Sequence, residues 1–192
     1  MRKQIAIMKI GLTGSLSSGK STAIKYLGKG ILPIFSADDE VKKLYKKKNL
    51  INKINRKFNI KIKNKSQLRN LVLLKKIKIK SLEKIIHPLV RLNMRKFIIK
   101  NKKRKKLLFE IPLLIESKLT KNFDIIIFLS AKKSIRLKRF IKAGGNKKLF
   151  QILDKRQMSP NKKKSYCNYT VENNSSLKNL KKNINQILIN NE

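Results

Sequence analysis

The chain has 192 residues, enough for one domain with a real core, and 41% of them are hydrophobic, which suits a globular fold. The formal net charge is +40, from 50 Lys and Arg against 10 Asp and Glu. Cys167 is the only cysteine, which excludes an intrachain disulfide framework and a cysteine-based zinc site and suits a reducing, cytoplasmic setting. No apolar run is long enough to span a bilayer. Met1-Arg2-Lys3 leads straight into a strand, so no cleavable signal peptide is expected. The charge admits two readings. One is a nucleic-acid or anionic-membrane partner; the other is compositional drift toward Lys, Asn and Ile. The lysines are spread along the chain, as at Lys46 to Lys48, Lys102 to Lys106 and Lys162 to Lys164, and no aromatic residues alternate with them as stacking platforms. The expectation is therefore drift, with no membrane partner and only weak, non-specific polyanion binding.

In chain order, an apolar run from Gln4 to Leu12 reads as a strand. It leads into Gly14-Ser15-Leu16-Ser17-Ser18-Gly19-Lys20-Ser21-Thr22, which carries the spacing G-x-x-x-x-G-K-[ST] of a phosphate-binding P-loop. Glycines let the backbone curl so that successive N–H groups face a polyphosphate, and the following helix adds the positive end of its dipole. Lys20 would reach the β/γ-phosphates and the Ser21 hydroxyl would ligate Mg²⁺. The helix runs from Ser21 to Leu27, and Gly28 and Gly30 end it.

Ile31 to Phe35 reads as a second strand, followed by Ser36-Ala37-Asp38-Asp39 and a helix from Asp39 to Lys47. Ligands of open parallel sheets bind beyond the carboxyl ends of the strands. Asp38 is thus a candidate general base or Mg²⁺-side ligand. Position alone gives equal standing to helix N-capping by Asp38 or Asp39. From Leu50 to Lys100 the period is helical, with Ile51, Ile54 and Phe58, then Leu68, Leu71 and Val72, then Leu82, Ile85 and Ile86 sharing faces. Pro88 is expected to interrupt it, with His87 as a helix-break or capping residue and another helix from Leu89 to Ile99. So long a helical block reads as an inserted substrate-binding region.

Lys105 to Ile111 reads as a third, buried parallel strand that Pro112 stops. Glu110 and Glu116 stand out among the few acids, with ion pairing to lysines as the plain alternative. Asp124 to Ser130 is the fourth strand. A basic helix, Lys132 to Lys142, a Gly144-Gly145 break and a helix from Phe150 to Gln157 follow. Their Arg136, Arg139 and Arg156 suit a lid over ATP or, equally, a solvated basic pair. A fifth strand at Tyr169 to Asn174 and a helix from Ser176 to Ile189, with Leu177, Leu180, Ile184, Ile187 and Leu188 facing the core, complete a three-layer α/β fold with a five-stranded parallel sheet.

Taken together, these residues resemble the dephospho-CoA kinases, a family of P-loop kinases, from Ile5 to about Leu188. Ile10 to Thr22 resembles the family's opening I-G-L-T-G-G-I-G-S-G-K-S-T, and Ser36-Ala37-Asp38 stands for its D-A-D. Leu82-Glu83-Lys84-Ile85-Ile86-His87-Pro88 matches L-E-x-I-x-H-P, and Ile111-Pro112-Leu113-Leu114-Ile115-Glu116 matches V-P-L-L-F-E. Lys155-Arg156-Gln157 and Cys167 to Asn173 are similar to its late R-x-x-Q and A-D-x-x-I-x-N patterns. The resemblance implies transfer of the ATP γ-phosphate to the ribose 3′-hydroxyl of dephospho-CoA, with Mg²⁺. It implies a single kinase domain: a core of residues 1–48, 104–131 and 167–192, a substrate-binding region of 49–103 and a lid of 132–166. Lys20, Asp38 and Arg139 would be catalytic. Gly14 to Thr22, Arg136 and Asn173 would hold ATP. Asp38, Lys65, His87, Pro112, Leu113, Leu114 and Glu116 would hold dephospho-CoA. A monomer or weak homo-oligomer is expected.

The chain departs from the family's text at several places. Ser15 and Ser17 replace usual glycines, so the loop keeps its shape only if those positions do not require positive φ. Ser36 replaces the first Asp of D-A-D. Lys65 stands for a usual Arg, Ala143 for a second lid Arg and Asn168 for the late Asp. The rival readings are another small-molecule P-loop kinase, for nucleosides or shikimate, and a basic nucleic-acid-binding ATPase.

Overall fold

The computed structural model describes residues 6–27, 32–74 and 76–191. The expected roles of Met1 to Lys3, of Gln4 and Ile5 in the first strand, of Gly28 and Gly30 as helix stops and of Ile31 in the second strand lie outside these residues. The chain divides into two compact units, Met1–Phe35 with Asn101–Glu192, and Ser36–Lys100.

The first unit is built on a five-stranded parallel sheet of order β2-β3-β1-β4-β5. The strands are β1 (Met8–Gly14), β2 (Ile34–Ser36), β3 (Lys106–Glu110), β4 (Ile125–Ser130) and β5 (Tyr169–Glu172). The continuous apolar runs Leu107-Leu108-Phe109 and Ile125 to Leu129 are buried, as a sheet covered on both faces requires. β1 lies between β3 and β4, with Leu12 beside both Glu110 and Ile127. Helices α1 (Lys20–Leu27) and α9 (Leu177–Ile189) share one core with Ile10, Leu12, Leu108, Ile127 and Val171. Leu180 and Ile184 of α9 are buried, as the spacing predicts, but Leu177 is 48% exposed. It shares the face of Leu180 and Ile184 but is the first helical residue after the Ser176 cap, at the end of the helix. Three helices lie between β4 and β5: α6 (Lys133–Lys142), α7 (Lys147–Lys155) and α8 (Pro160–Lys164). The last was not legible in the lysine-rich sequence; Ser159 caps it and Pro160 opens it.

The second unit holds α2 (Ala37–Tyr45), α3 (Lys48–Phe58), α4 (Lys65–Leu73) and α5 (Ile79–Lys100) around a core of its own. Leu44, Ile51, Ile54, Leu68, Leu82, Ile85 and Ile86 are buried in it, with Phe58, Leu71 and Val72 packed against them. α5 runs unbroken through Pro88, contrary to the expected break and to the helix-break role for His87. The proline removes one backbone donor and crowds the Lys84 carbonyl. Ile85, Ile86, Leu89 and Val90 on either side of it all contribute to the same core, and that burial outweighs the local preference. Pro88→Ala should therefore raise stability by about 1–3 kcal/mol, seen as a higher urea midpoint with an unchanged slope.

Candidate active site

The turn after β1 curls on itself. Ser18 N–H donates to Ser15 O at 3.1 Å, and Ala23 N–H donates to Gly19 O at 3.0 Å as α1 begins. Gly14 passes so close to the β4 backbone that a Cβ there would collide with the Leu129 carbonyl oxygen. Gly19 has φ 102°, and a Cβ on it would strike the Asn173 amide. The condition set for the two serines is met at Ser15 and not at Ser17, whose φ is 56°, yet the loop keeps its curl. A left-handed serine carries strain of about 1–2 kcal/mol. Lys20 is only 8% exposed. Its Nζ lies inside the curl, donating to Gly14 O at 3.1 Å and Ser15 O at 2.9 Å. Ser21 and Thr22, in the first turn of α1, are exposed.

Four side chains hold the strained loop on either side of Ser17. Leu16 N–H donates to Gln157 Oε1 at 2.9 Å, and Arg136 Nη1 donates to Leu16 O at 3.3 Å. Arg139 Nη1 and Asn173 Nδ2 both donate to Ser18 O, at 3.2 and 2.8 Å. Arg139 Nη2 also donates to Asn173 O at 3.0 Å. Arg136 is buried, lies over the Phe150 ring and is paired with Asp154. The sequence reading gives Arg136, Arg139 and Asn173 to ATP; the contacts they make here are with the loop carbonyls. In the sequence Gln157 is only a helix end and motif text, and Asp154 carries no assigned role. The sole sequence signal for Asp154 was the scarcity of acids, and that does not point to a partner.

The turn after β3 is tied to the same strand. Ile111 N–H donates to Leu12 O at 3.0 Å and Thr13 Oγ1 to Pro112 O at 3.1 Å. Leu114 and Ile115 are buried, and Leu113 is half-buried. Glu116 Oε1 accepts from Lys163 Nζ at 2.9 Å and from Met158 N–H at 3.0 Å. The lysine pairing foreseen for Glu116 is thus present, but through a lysine with no exposed side-chain surface. Nothing in the run Lys162 to Lys164 marks which lysine turns inward. Burial pushes the nearby Cys167 thiol up to about 11; Lys163 partly opposes this and Glu116 adds to it.

In the second unit, Ser36 accepts from Asp39 N–H at 3.3 Å and so caps α2. The alternative of capping by Asp38 or Asp39 is thereby set aside. Asp39 pairs with Lys42, and Glu40 with Lys43 and Asn93. Asp38 is exposed in the first turn of α2, and its carboxylate forms no hydrogen bond or ion pair with the described residues. Lys65 opens α4 after the Asn64 cap, with Nζ 5.4 Å from the Tyr45 ring centroid. His87 is half-buried on α5.

A parallel sheet whose first strand feeds a curled, lysine-bearing loop at the start of a helix defines a nucleotide-binding protein of the P-loop class. The family model described as dephospho-CoA kinase matches residues 8–179. A dephospho-CoA kinase of Bartonella henselae is 34% identical over 91% of this chain and 93% of its own length. One of Fusobacterium nucleatum is 34% identical over 94% and 96%. A crystal structure from Thermus thermophilus superposes with a TM-score of 0.80 at 23% identity, covering 96% of this chain and 97% of that one. The chain belongs to the dephospho-CoA kinase family.

Ser17→Gly should remove the left-handed strain and tighten ATP binding several-fold by calorimetry, whereas the β-branched Ser17→Val should weaken it by about 10-fold or more. Cys167 offers a second check. Only the thiolate alkylates, and a rise from 9.0 to about 11 makes iodoacetamide labelling at pH 8 roughly 100-fold slower in the folded than in the unfolded chain. Between those two values the folded thiol keeps a proton that the unfolded one releases, so this group's contribution to stability falls as pH rises through that window.

Proposed function

We propose that the chain transfers the γ-phosphoryl group of ATP to the ribose 3′-hydroxyl of dephospho-CoA. The observation that carries this is the buried Lys20 ammonium inside the phosphate loop, in a chain matched by the family model from residue 8 to 179. The Gly14 to Ser21 backbone and Lys20 cradle the β/γ-phosphates. Asp38, uncommitted to a cap or an ion pair, takes the proton of the attacking hydroxyl. As the new O–P bond forms, the bond to the β–γ bridging oxygen breaks and ADP leaves. Arg139, with Arg136, offsets the charge that develops, and Asn173 adjoins the adenine. Most of the acceleration is positioning and electrostatics.

Ser21 would hold Mg²⁺, which supplies charge neutralisation at the phosphates. An exposed hydroxyl beside a phosphate loop fits that ion, which keeps several waters and binds through one or two protein oxygens plus substrate phosphates. Lys65, His87, Pro112, Leu113, Leu114 and Glu116 line the acceptor side, with 49–103 as the acceptor-binding region and 132–166 as the lid. The protein works in the cytoplasm as a monomer or weak homo-oligomer, with no specific nucleic-acid partner. No helix among the described residues is long and apolar enough to cross a membrane.

An acceptor panel with labelled ATP tests the reading. Dephospho-CoA should be phosphorylated in preference to adenosine and shikimate, and the reverse order overturns it. Asp38→Asn should lower kcat by about 10²–10⁴-fold with ATP affinity retained; an active variant removes Asp38 from the mechanism.

A further inference from the structure

Lys163 is among the largest side chains wholly removed from solvent in the described structure. A lysine that deep is rare unless paired. Its ammonium donates to Glu116 Oε1 at 2.9 Å and to Pro112 O at 3.3 Å. The Pro112 carbonyl is shared with Thr13 Oγ1, on the strand that enters the phosphate loop. From its side, Cys167 Sγ donates to Lys163 O at 3.2 Å. One side chain of α8 thus grips both ends of the Pro112–Glu116 turn. The other carboxylate oxygen, Glu116 Oε2, is buried and makes no hydrogen bond among the described residues. A buried acceptor without a donor is costly, and such a group in a native fold calls for an explanation, a role at a functional site among them.

We propose that Lys163 is a positioning residue for the phosphoryl acceptor: it fixes the Pro112–Glu116 turn and orients Glu116 so that Oε2 is kept for a hydroxyl or N–H donor of the bound acceptor. This rests on the assignment of that turn to the acceptor side. Stability alone is a poor reason for the arrangement, since buried ion pairs are often matched or bettered by apolar side chains of similar volume.

The test is steady-state kinetics of Lys163→Met in the full chain, varying ATP and acceptor separately. The acceptor used is the one the unaltered protein phosphorylates fastest, so a wrong acceptor overturns the preceding reading alone. The acceptor KM should rise about 10- to 100-fold, the effect expected of a misplaced binding group, while the ATP KM stays within about twofold. Lys163→Gln, which retains a donor for Glu116 without the charge, should give a smaller rise and serves where Lys163→Met does not fold. Unchanged KM values, a parallel rise in both, or failure of both variants to fold would mark Lys163 as scaffold and overturn the proposal.

Discussion

The phosphate loop depends on a backbone conformation that its own sequence disfavours. Ser17 is left-handed, where glycine would be free of strain. What keeps it there is a pair of carbonyls, Leu16 O and Ser18 O, each bonded to an arginine, with the Gln157 and Asn173 amides completing the grip. Hydrogen bonds from a guanidinium are among the stronger kinds. Several of them together match a strain of about 1–2 kcal/mol. The helices after β4 therefore act on the loop through its backbone, from residues more than a hundred positions away in the chain.

The same arrangement explains where the few acids go. With 50 basic residues and 10 acidic ones, most lysines have no carboxylate to meet and must lie in water. Among the described residues, Glu110 is buried in β3, and two partly buried acids meet buried cations: Asp154 pairs with Arg136 and Glu116 with Lys163. Each of these two pairs would be expensive to break by removing the acid, because Arg136 or Lys163 would be left as an uncompensated buried charge. Asp39 and Glu40 instead pair with lysines one turn away on α2, where such contacts contribute little. The excess charge is thus largely a property of the solvated faces, and the buried Arg136 and Lys163 each meet a carboxylate.

Departures from the family's usual residues keep chemistry of their own. Ser36 caps α2, which leaves Asp38 free of that task. Asn168 accepts from Ile126 N–H through Oδ1 and donates its own N–H to Ile126 O, so the neutral amide still docks the start of β5 onto β4. Ser17 is the departure that carries strain, and its hold on the loop is supplied by residues outside the motif.

The strands, their parallel order of succession, the phosphate loop and the amphipathic faces of α3, α4 and α5 were legible in the sequence, because each is encoded by local spacing: a period of two or an unbroken apolar run, a glycine pattern, a period of 3.6. The family was legible too, through motifs in order at matching intervals. Three things were not. Pro88 reads as a break, yet a core contributed by distant helices keeps α5 whole. Lys163 is indistinguishable from its neighbours in the chain, and only the packing of α8 turns it inward beside Glu116. Arg136 and Arg139 could be recognised as arginines near a nucleotide, but their partners are carbonyls brought to them by the β1–β4 crossover. Local pattern determines which elements form; which buried charge meets which partner is decided by long-range contacts, and no spacing rule along the chain encodes those.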